Sequence, residues 1–259
     1  MSVALSHSFI GDPAKPLVVM SSALGTSRAM WEAQHVLGTD FSLLLYDHRG
    51  LGDSPAPRGP YTVEDLGTDV IALLDKLGTE SVSFCGVSLG GMVGLWLAAH
   101  HRERIRSLVV MCALARLQPA ERYIERAAAV RAHGIEPIAA GVVARWFTPH
   151  FGEQHPATLE RFARALTGMT AEGYASCCEA VATCDLRTAI HRVDARTLII
   201  AGADDPFVPA SSAVMFGASF RDASVAVVPN AGHLVNVEQP EIVSRLVLEH
   251  VIERDGEVV

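Results

Sequence analysis

The sequence predicts an α/β architecture: a mostly parallel central sheet flanked by helices and interrupted once by an inserted helical cap. Three observations carry this expectation. Short apolar runs alternate with stretches of helical periodicity through residues 16–112, and parallel neighbours need crossovers of helical length. The strand pattern vanishes over residues 113–192, where alanine-rich stretches take over, and then returns. With 259 residues, 49% of them hydrophobic and 19% charged, the chain suits one core carrying an insertion better than two independent domains.

Pro16-Leu17-Val18-Val19-Met20 and Phe41-Ser42-Leu43-Leu44-Leu45-Tyr46 are compact apolar runs that read as buried strands. Between them Ser27 to Leu37 reads as helix, and Thr62 to Leu77 repeats apolar residues at helical spacing until Gly78 stops it. Ser81 to Cys85 is strand-like and runs into Gly86, Met92 to His101 is helical, and Ile105 to Cys112 is the next strand. Ala120 to Ala132 and Pro137 to Phe147 lead a set of roughly four or five helices in the insertion. Strands resume at Thr197 to Ala201 and Ser224 to Val228, and Pro240 to Ile252 forms a closing helix with proline at its start. The expected division is a core from residues 1–112 and 193–259, with 113–192 as the cap.

The formal charge of -8, from 21 basic and 29 acidic residues, includes no basic block, so nucleic acid finds no electrostatic footprint. No run approaches the roughly 20 apolar residues that span a bilayer, which argues against a membrane partner. Met1 to Pro16 lacks a basic start followed by an apolar stretch. A cytoplasmic enzyme acting on a small molecule is expected, with homo-oligomerisation left open. The five cysteines (Cys85, Cys112, Cys177, Cys178, Cys184) are odd in number and fall in apolar segments, which suits reduced, buried thiols, and no metal spacing emerges from them.

Gly86-Val87-Ser88-Leu89-Gly90 carries the chemistry. As a bare pattern, G-x-S-x-G is more often a glycine-rich turn with an incidental serine. Here it follows an apolar strand and precedes a helix, the setting of a nucleophile elbow. Gly202-Ala203-Asp204-Asp205 then closes one apolar strand, and Gly232-His233 follows the next. The order Ser, Asp, His is that of an α/β-hydrolase fold. Spacing favours Asp205 over the adjoining Asp204, and His233 is the one of eleven histidines in such a place; His35, His100, His101 and His250 are expected at the surface.

A serine hydroxyl is a poor nucleophile until a base within hydrogen-bond reach takes its proton, and a carboxylate then orients that base. The expected roles are Ser88 as nucleophile, His233 as base and acid, and Asp205 as orienting group. The Leu24 and Leu89 backbone amides are the expected oxyanion hole. The charged turn from Asp47 to Ser54 mainly organises its loop, with Arg49 as the alternative anion contact.

Around these residues the chain resembles the 3-oxoadipate enol-lactonases. The likeness runs through Ala23-Leu24-Gly25-Thr26, the Arg49-Gly50 turn, Gly59-Pro60-Tyr61-Thr62, Cys85 to Met92, and Ala231-Gly232-His233-Leu234-Val235-Asn236-Val237-Glu238-Gln239-Pro240. It extends into the cap at Ala144-Arg145-Trp146-Phe147-Thr148-Pro149 and Gly173-Tyr174-Ala175-Ser176-Cys177-Cys178. The chain departs from its relatives at Ser22, His48 and Leu51, which border the oxyanion strand and the following turn. The resemblance implies hydrolysis of 3-oxoadipate enol-lactone to 3-oxoadipate without metal or organic cofactor. It also implies a cationic contact for the substrate carboxylate, for which Arg145, Arg131 and Arg49 are candidates, with Ser22 and Trp146 as further substrate contacts. A general carboxylesterase or carbon-carbon bond hydrolase of the same fold is the alternative, and a non-catalytic ligand receptor is a third reading.

Overall fold

Seven strands form a single sheet in the computed structural model, which describes residues 2–255. The ends of the expected core segments, Met1 and residues 256–259, lie outside the described residues. The strands are β1 (His7–Ile10), β2 (Leu17–Ser21), β3 (Ser42–Tyr46), β4 (Val82–Val87), β5 (Ile105–Met111), β6 (Arg196–Gly202) and β7 (Ala223–Val228). Their order is β1-β3-β2-β4-β5-β6-β7, with β1 antiparallel to β3 and every other pairing parallel. Every residue of β3 and β4 is buried, as strands covered on both faces require.

The helices, in chain order, are α1 (Val63–Lys76), α2 (Leu89–His100), α3 (Glu121–His133), α4 (Glu136–Ala144), α5 (Pro149–Gln154), α6 (Pro156–Thr167), α7 (Ala171–Thr183), α8 (Ala210–Gly217), α9 (Val235–Glu238) and α10 (Pro240–Asp255). Five of them, α3 to α7, fall between β5 and β6, where the strand signal disappears. No described helix is long and apolar enough to cross a membrane.

Residues 28–39 are helical as expected, in the form of a 3-10 helix. Some expectations need correction. Strand β1 and helix α8 were not anticipated, because β1 is four residues at a sheet edge, three half-buried and one exposed, and α8 is a short eight-residue stretch whose Val214 and Met215 are exposed. Helix α2 starts at Leu89, directly from Ser88, rather than at Met92. His250 is buried rather than exposed; its Nε2 lies 3.2 Å from the Arg196 carbonyl oxygen.

The topology itself creates the crevice. From β2 the chain turns one way to β3, while β4 pairs on the other side of β2 with Ser21 beside Gly86. Connections leaving in opposite directions open a cleft at the carboxyl ends of these strands. The segments that follow β2, β4, β6 and β7 all emerge along this edge of the parallel sheet.

Candidate active site

Ser88 occupies the single residue between β4 and α2, with φ 55° and ψ -114°. A non-glycine residue in that region is strained, and the surroundings hold it there. Its amide donates to the Met111 carbonyl at 2.8 Å, and its carbonyl accepts from Met92 at 3.0 Å. The two motif glycines permit the turn by their lack of a side chain. A β-carbon on Gly86 would fall 2.3 Å from the Gly90 carbonyl group, and one on Gly90 would fall 2.2 Å from the Ser21 carbonyl oxygen.

The structure brings Ser88, His233 and Asp205 into one hydrogen-bonded row. Ser88 Oγ lies 2.9 Å from His233 Nε2, and His233 Nδ1 lies 2.8 Å from Asp205 Oδ2. All three residues are buried. The other carboxylate oxygen of Asp205 accepts the Phe207 and Val208 amides at 2.7 and 3.2 Å, so both oxygens are committed. Asp204, its neighbour, is exposed. With Nδ1–H donating to the carboxylate, Nε2 is left free to accept the Ser88 proton.

Two loops set the histidine. The chain after β6 is tied to the chain before His233, since the Ala203 and Asp204 amides donate to the Val228 and Ala231 carbonyls, both at 2.9 Å. The histidine loop is also fastened to the cap. Buried Glu238 accepts the Gly232 amide at 3.0 Å, the Thr148 amide at 2.9 Å and the Thr148 hydroxyl at 2.8 Å. Burial nevertheless holds its carboxyl above the ordinary pKa. The Leu234 amide donates to the Trp146 carbonyl at 3.0 Å.

Leu89 opens α2, so its amide has no carbonyl one turn earlier to receive it. After β2, the Thr26 amide bends back to the Ala23 carbonyl at 3.1 Å while the Ala23 amide contacts Met30 Sδ at 3.3 Å. Leu24 lies between them at the cavity over Ser88. Behind this segment, His48 Nε2 meets the Ser22 carbonyl oxygen at 3.1 Å and Ser21 Oγ at 3.2 Å. Burial lowers the His48 pKa to about 4, so the ring stays neutral while it braces the strand end.

The cavity above the row is bounded by Leu24 from the core, by Tyr123, Arg126, Trp146 and Val181 from the cap, and by Phe207. Its volume of about 20 Å³ accommodates about one water. A larger cleft of about 390 Å³, between Glu32, His155 and Arg161, includes no residue of the row.

The other candidates separate clearly. Trp146 lines the cavity, and Arg145 lies over the Phe207 ring at 4.7 Å. Ser22 is fully buried, and its hydroxyl does not line the cavity. Arg49 is committed to Asp69, whose carboxylate it grips at 2.5 and 2.7 Å. Arg131 ties α3 to α7 through Glu172 and Glu179, at 2.9 and 2.5 Å. Arg126, at the cavity, was missed. Helical spacing was the available signal, since Tyr123, Arg126, Ala127 and Val130 share one face.

All five cysteines are free and buried. Cys112 stands close to Asp205 and His233, their ligating atoms lying within 4.8 Å of one another. Burial, reinforced by the neighbouring Asp205, drives the Cys112 thiol far above its ordinary pKa, so it stays protonated.

Residues 16–240 match the family model described as the alpha/beta hydrolase fold. The chain is 40% identical over 240 residues to 3-oxoadipate enol-lactonase 2 of Acinetobacter baylyi, spanning 92% of this chain and 90% of that protein. The crystal structure of the enol-lactonase from Burkholderia xenovorans LB400 superposes with a TM-score of 0.93 at 33% identity, covering 96% of each chain. That of a hydrolase from Pseudomonas aeruginosa PA01 gives 0.91 at 40% identity, covering 95% of this chain and 94% of the other.

Proposed function

The chain belongs to the 3-oxoadipate enol-lactonase family of α/β-hydrolases, and from that premise we propose that it opens 3-oxoadipate enol-lactone to 3-oxoadipate, a step of aromatic-compound catabolism, through an acyl-enzyme on Ser88. The observation that carries this reading is the row itself, with 2.9 Å from hydroxyl to imidazole and 2.8 Å from imidazole to carboxylate. Both spacings fall within the reach that proton transfer needs.

As Ser88 Oγ bonds to the lactone carbonyl carbon, its proton passes to His233 Nε2. The imidazolium that forms is stabilised by Asp205, which keeps its negative charge. The carbonyl oxygen becomes an oxyanion received by the Leu24 and Leu89 amides, each of which contributes ~3 kcal/mol of barrier lowering in sites of this kind. Collapse breaks the ring C–O bond. The departing enol oxygen takes the proton from the His233 imidazolium, which leaves the ring neutral and able to act as base again. The leaving group stays tethered to the acyl chain, since a lactone carries both in one molecule. Water, deprotonated by His233, then attacks the ester carbon and returns Ser88 to its hydroxyl form. The enol tautomerises to the ketone.

The test follows the loss of enol-lactone absorbance with wild type and with Ser88→Ala. Wild type is expected to turn over, and the variant to lose at least about 10⁴-fold in kcat. Comparable rates would remove Ser88 from the mechanism. A wild type that ignores the lactone yet cleaves nitrophenyl esters would move the assignment to the carboxylesterase alternative.

A further inference from the structure

Arginines elsewhere in this fold are mostly matched with acids: Arg28 with Asp47, Arg49 with Asp69, Arg104 with Asp75, Arg131 with Glu172, Arg161 with Glu32. Three cap arginines differ. Among the described residues, no carboxylate lies within ion-pair distance of Arg122, Arg126 or Arg145. Arg126 lines the cavity together with Ser88 and His233. Its polar contact is a long one, from Nη1 to the Tyr174 hydroxyl at 3.5 Å, and its guanidinium sits 5.5 Å from the Tyr123 ring. Arg122 and Arg145 lie over the Phe207 ring at 5.5 and 4.7 Å. The Phe207 ring in turn rests 4.7 Å from that of His233.

A guanidinium is always charged, and half-burying one without a counterion is costly. One of them at the cavity and two over the Phe207 ring that lines it, in a chain of net charge -8, create a local positive field where the overall field repels anions. A carboxylate on the substrate supplies the missing partner, and Arg126 offers it the forked donors that suit carboxylates.

We infer that Arg126, with Arg122 and Arg145 beside it, anchors a carboxylate of the substrate against the cap, so that the enzyme selects small acidic lactones and esters over neutral ones. This inference rests on the lactonase reading for the location of the chemistry, and adds to it the residue that reads the substrate's charge. Arg126 is a positioning residue: it holds the end of the substrate remote from the carbonyl that Ser88 attacks.

The experiment compares two 4-nitrophenyl esters of nearly equal shape: the mono-ester of adipic acid, whose carboxylate is too remote for rapid anhydride formation, and the 6-methylheptanoate, in which an isopropyl end replaces the carboxylate. Wild type is expected to favour the acidic ester in kcat/KM, mainly through KM. Arg126→Gln is expected to cut that preference by about 10- to 100-fold, the range for a hydrogen bond to a charged group. Arg126→Lys keeps part of the preference as a point charge. Two controls guard against other causes: Tyr174→Phe removes the hydroxyl that Arg126 contacts, and Arg164→Gln removes an equal charge from the exposed face of the cap. Both are expected to keep the wild-type preference.

Calorimetry with succinate on Ser88→Ala protein, with and without Arg126→Gln, reads the anion site independently of turnover. Equal kcat/KM for the two esters in wild type, or an unchanged preference in Arg126→Gln, overturns the anchor and leaves the lactonase reading standing. Succinate binding that depends on Arg126 in a protein that cleaves no lactone or ester upholds the anchor and removes the hydrolase reading instead.

Discussion

Replacing Asp205 by asparagine tests the row through a tautomer. Asp205 Oδ1 accepts two backbone amides, from Phe207 and Val208, while Oδ2 accepts His233 Nδ1–H. An asparagine here must keep its carbonyl oxygen toward the two amides, because the reverse orientation would set its NH₂ group against two N–H donors. Its NH₂ group then faces His233 Nδ1 and donates to it. The imidazole proton is driven to Nε2, the nitrogen 2.9 Å from Ser88 Oγ, which loses its capacity to act as base. The expected loss is about 10⁴-fold in kcat, the scale for this substitution where a carboxylate orients a catalytic histidine. That equals about 5.4 kcal/mol of barrier at 1.36 kcal/mol per tenfold. Stability should change by only about 1 kcal/mol, since both backbone amides keep their acceptor. The assay is kcat on the lactone and on a nitrophenyl ester, with thermal melting alongside. Asp204→Asn, one residue away and exposed, should retain the wild-type rate. An Asp205→Asn enzyme within tenfold of wild type would refute the reasoning.

Two further outcomes concern the scaffold. His48 is neutral in both folded and unfolded chains above its ordinary pKa of 6.5, but between 6.5 and about 4 the unfolded chain binds a proton that the folded one refuses. Stability is therefore lost as pH falls through that window, by ~3 kcal/mol from this group. Urea midpoints at pH 7.5 and pH 4.5 should converge more for His48→Gln than for wild type, and parallel losses would contradict it. Glu238 satisfies three donors that join the histidine loop to the cap. Glu238→Ala should cost ~2 to 4 kcal/mol and lower kcat, while Glu238→Gln, whose amide oxygen still accepts, should stay within about 1 kcal/mol of wild type by denaturant unfolding. Equal losses in the two variants would show that packing rather than the hydrogen bonds matters there.

The α/β class was legible because β3, β4 and β6 are buried on both faces and so read as continuous apolar runs between helical stretches. The positions of Ser88, Asp205 and His233 were legible for a related reason: each ends such a run, and strand ends are where side chains meet in a parallel sheet. Choosing Asp205 over Asp204 needed only the spacing, and the structure gives the physical ground, since one faces the imidazole and the other faces solvent. What escaped was decided by contacts between distant segments. Edge strand β1 exists because Ser42 to Tyr46 offers a partner, not because His7 to Ile10 has a pattern. Arg49 and Arg131 carried the right charge for a substrate contact, but Asp69, Glu172 and Glu179 occupy them. That competition appears only once the fold has placed the acids. Arg126 went unremarked among the arginines of an alanine-rich helix, although the face it shares with Tyr123 and Val130 pointed inward.

The central claim is that the elbow presents an activated hydroxyl at position 88. Its most direct measurement is mass-spectrometric mapping after treatment with a fluorophosphonate, which labels only a serine whose proton a neighbouring base removes. One adduct per chain on the peptide containing Ser88, absent after His233→Ala, is the predicted result. An unlabelled wild-type protein, or equal labelling with and without His233, would contradict the account.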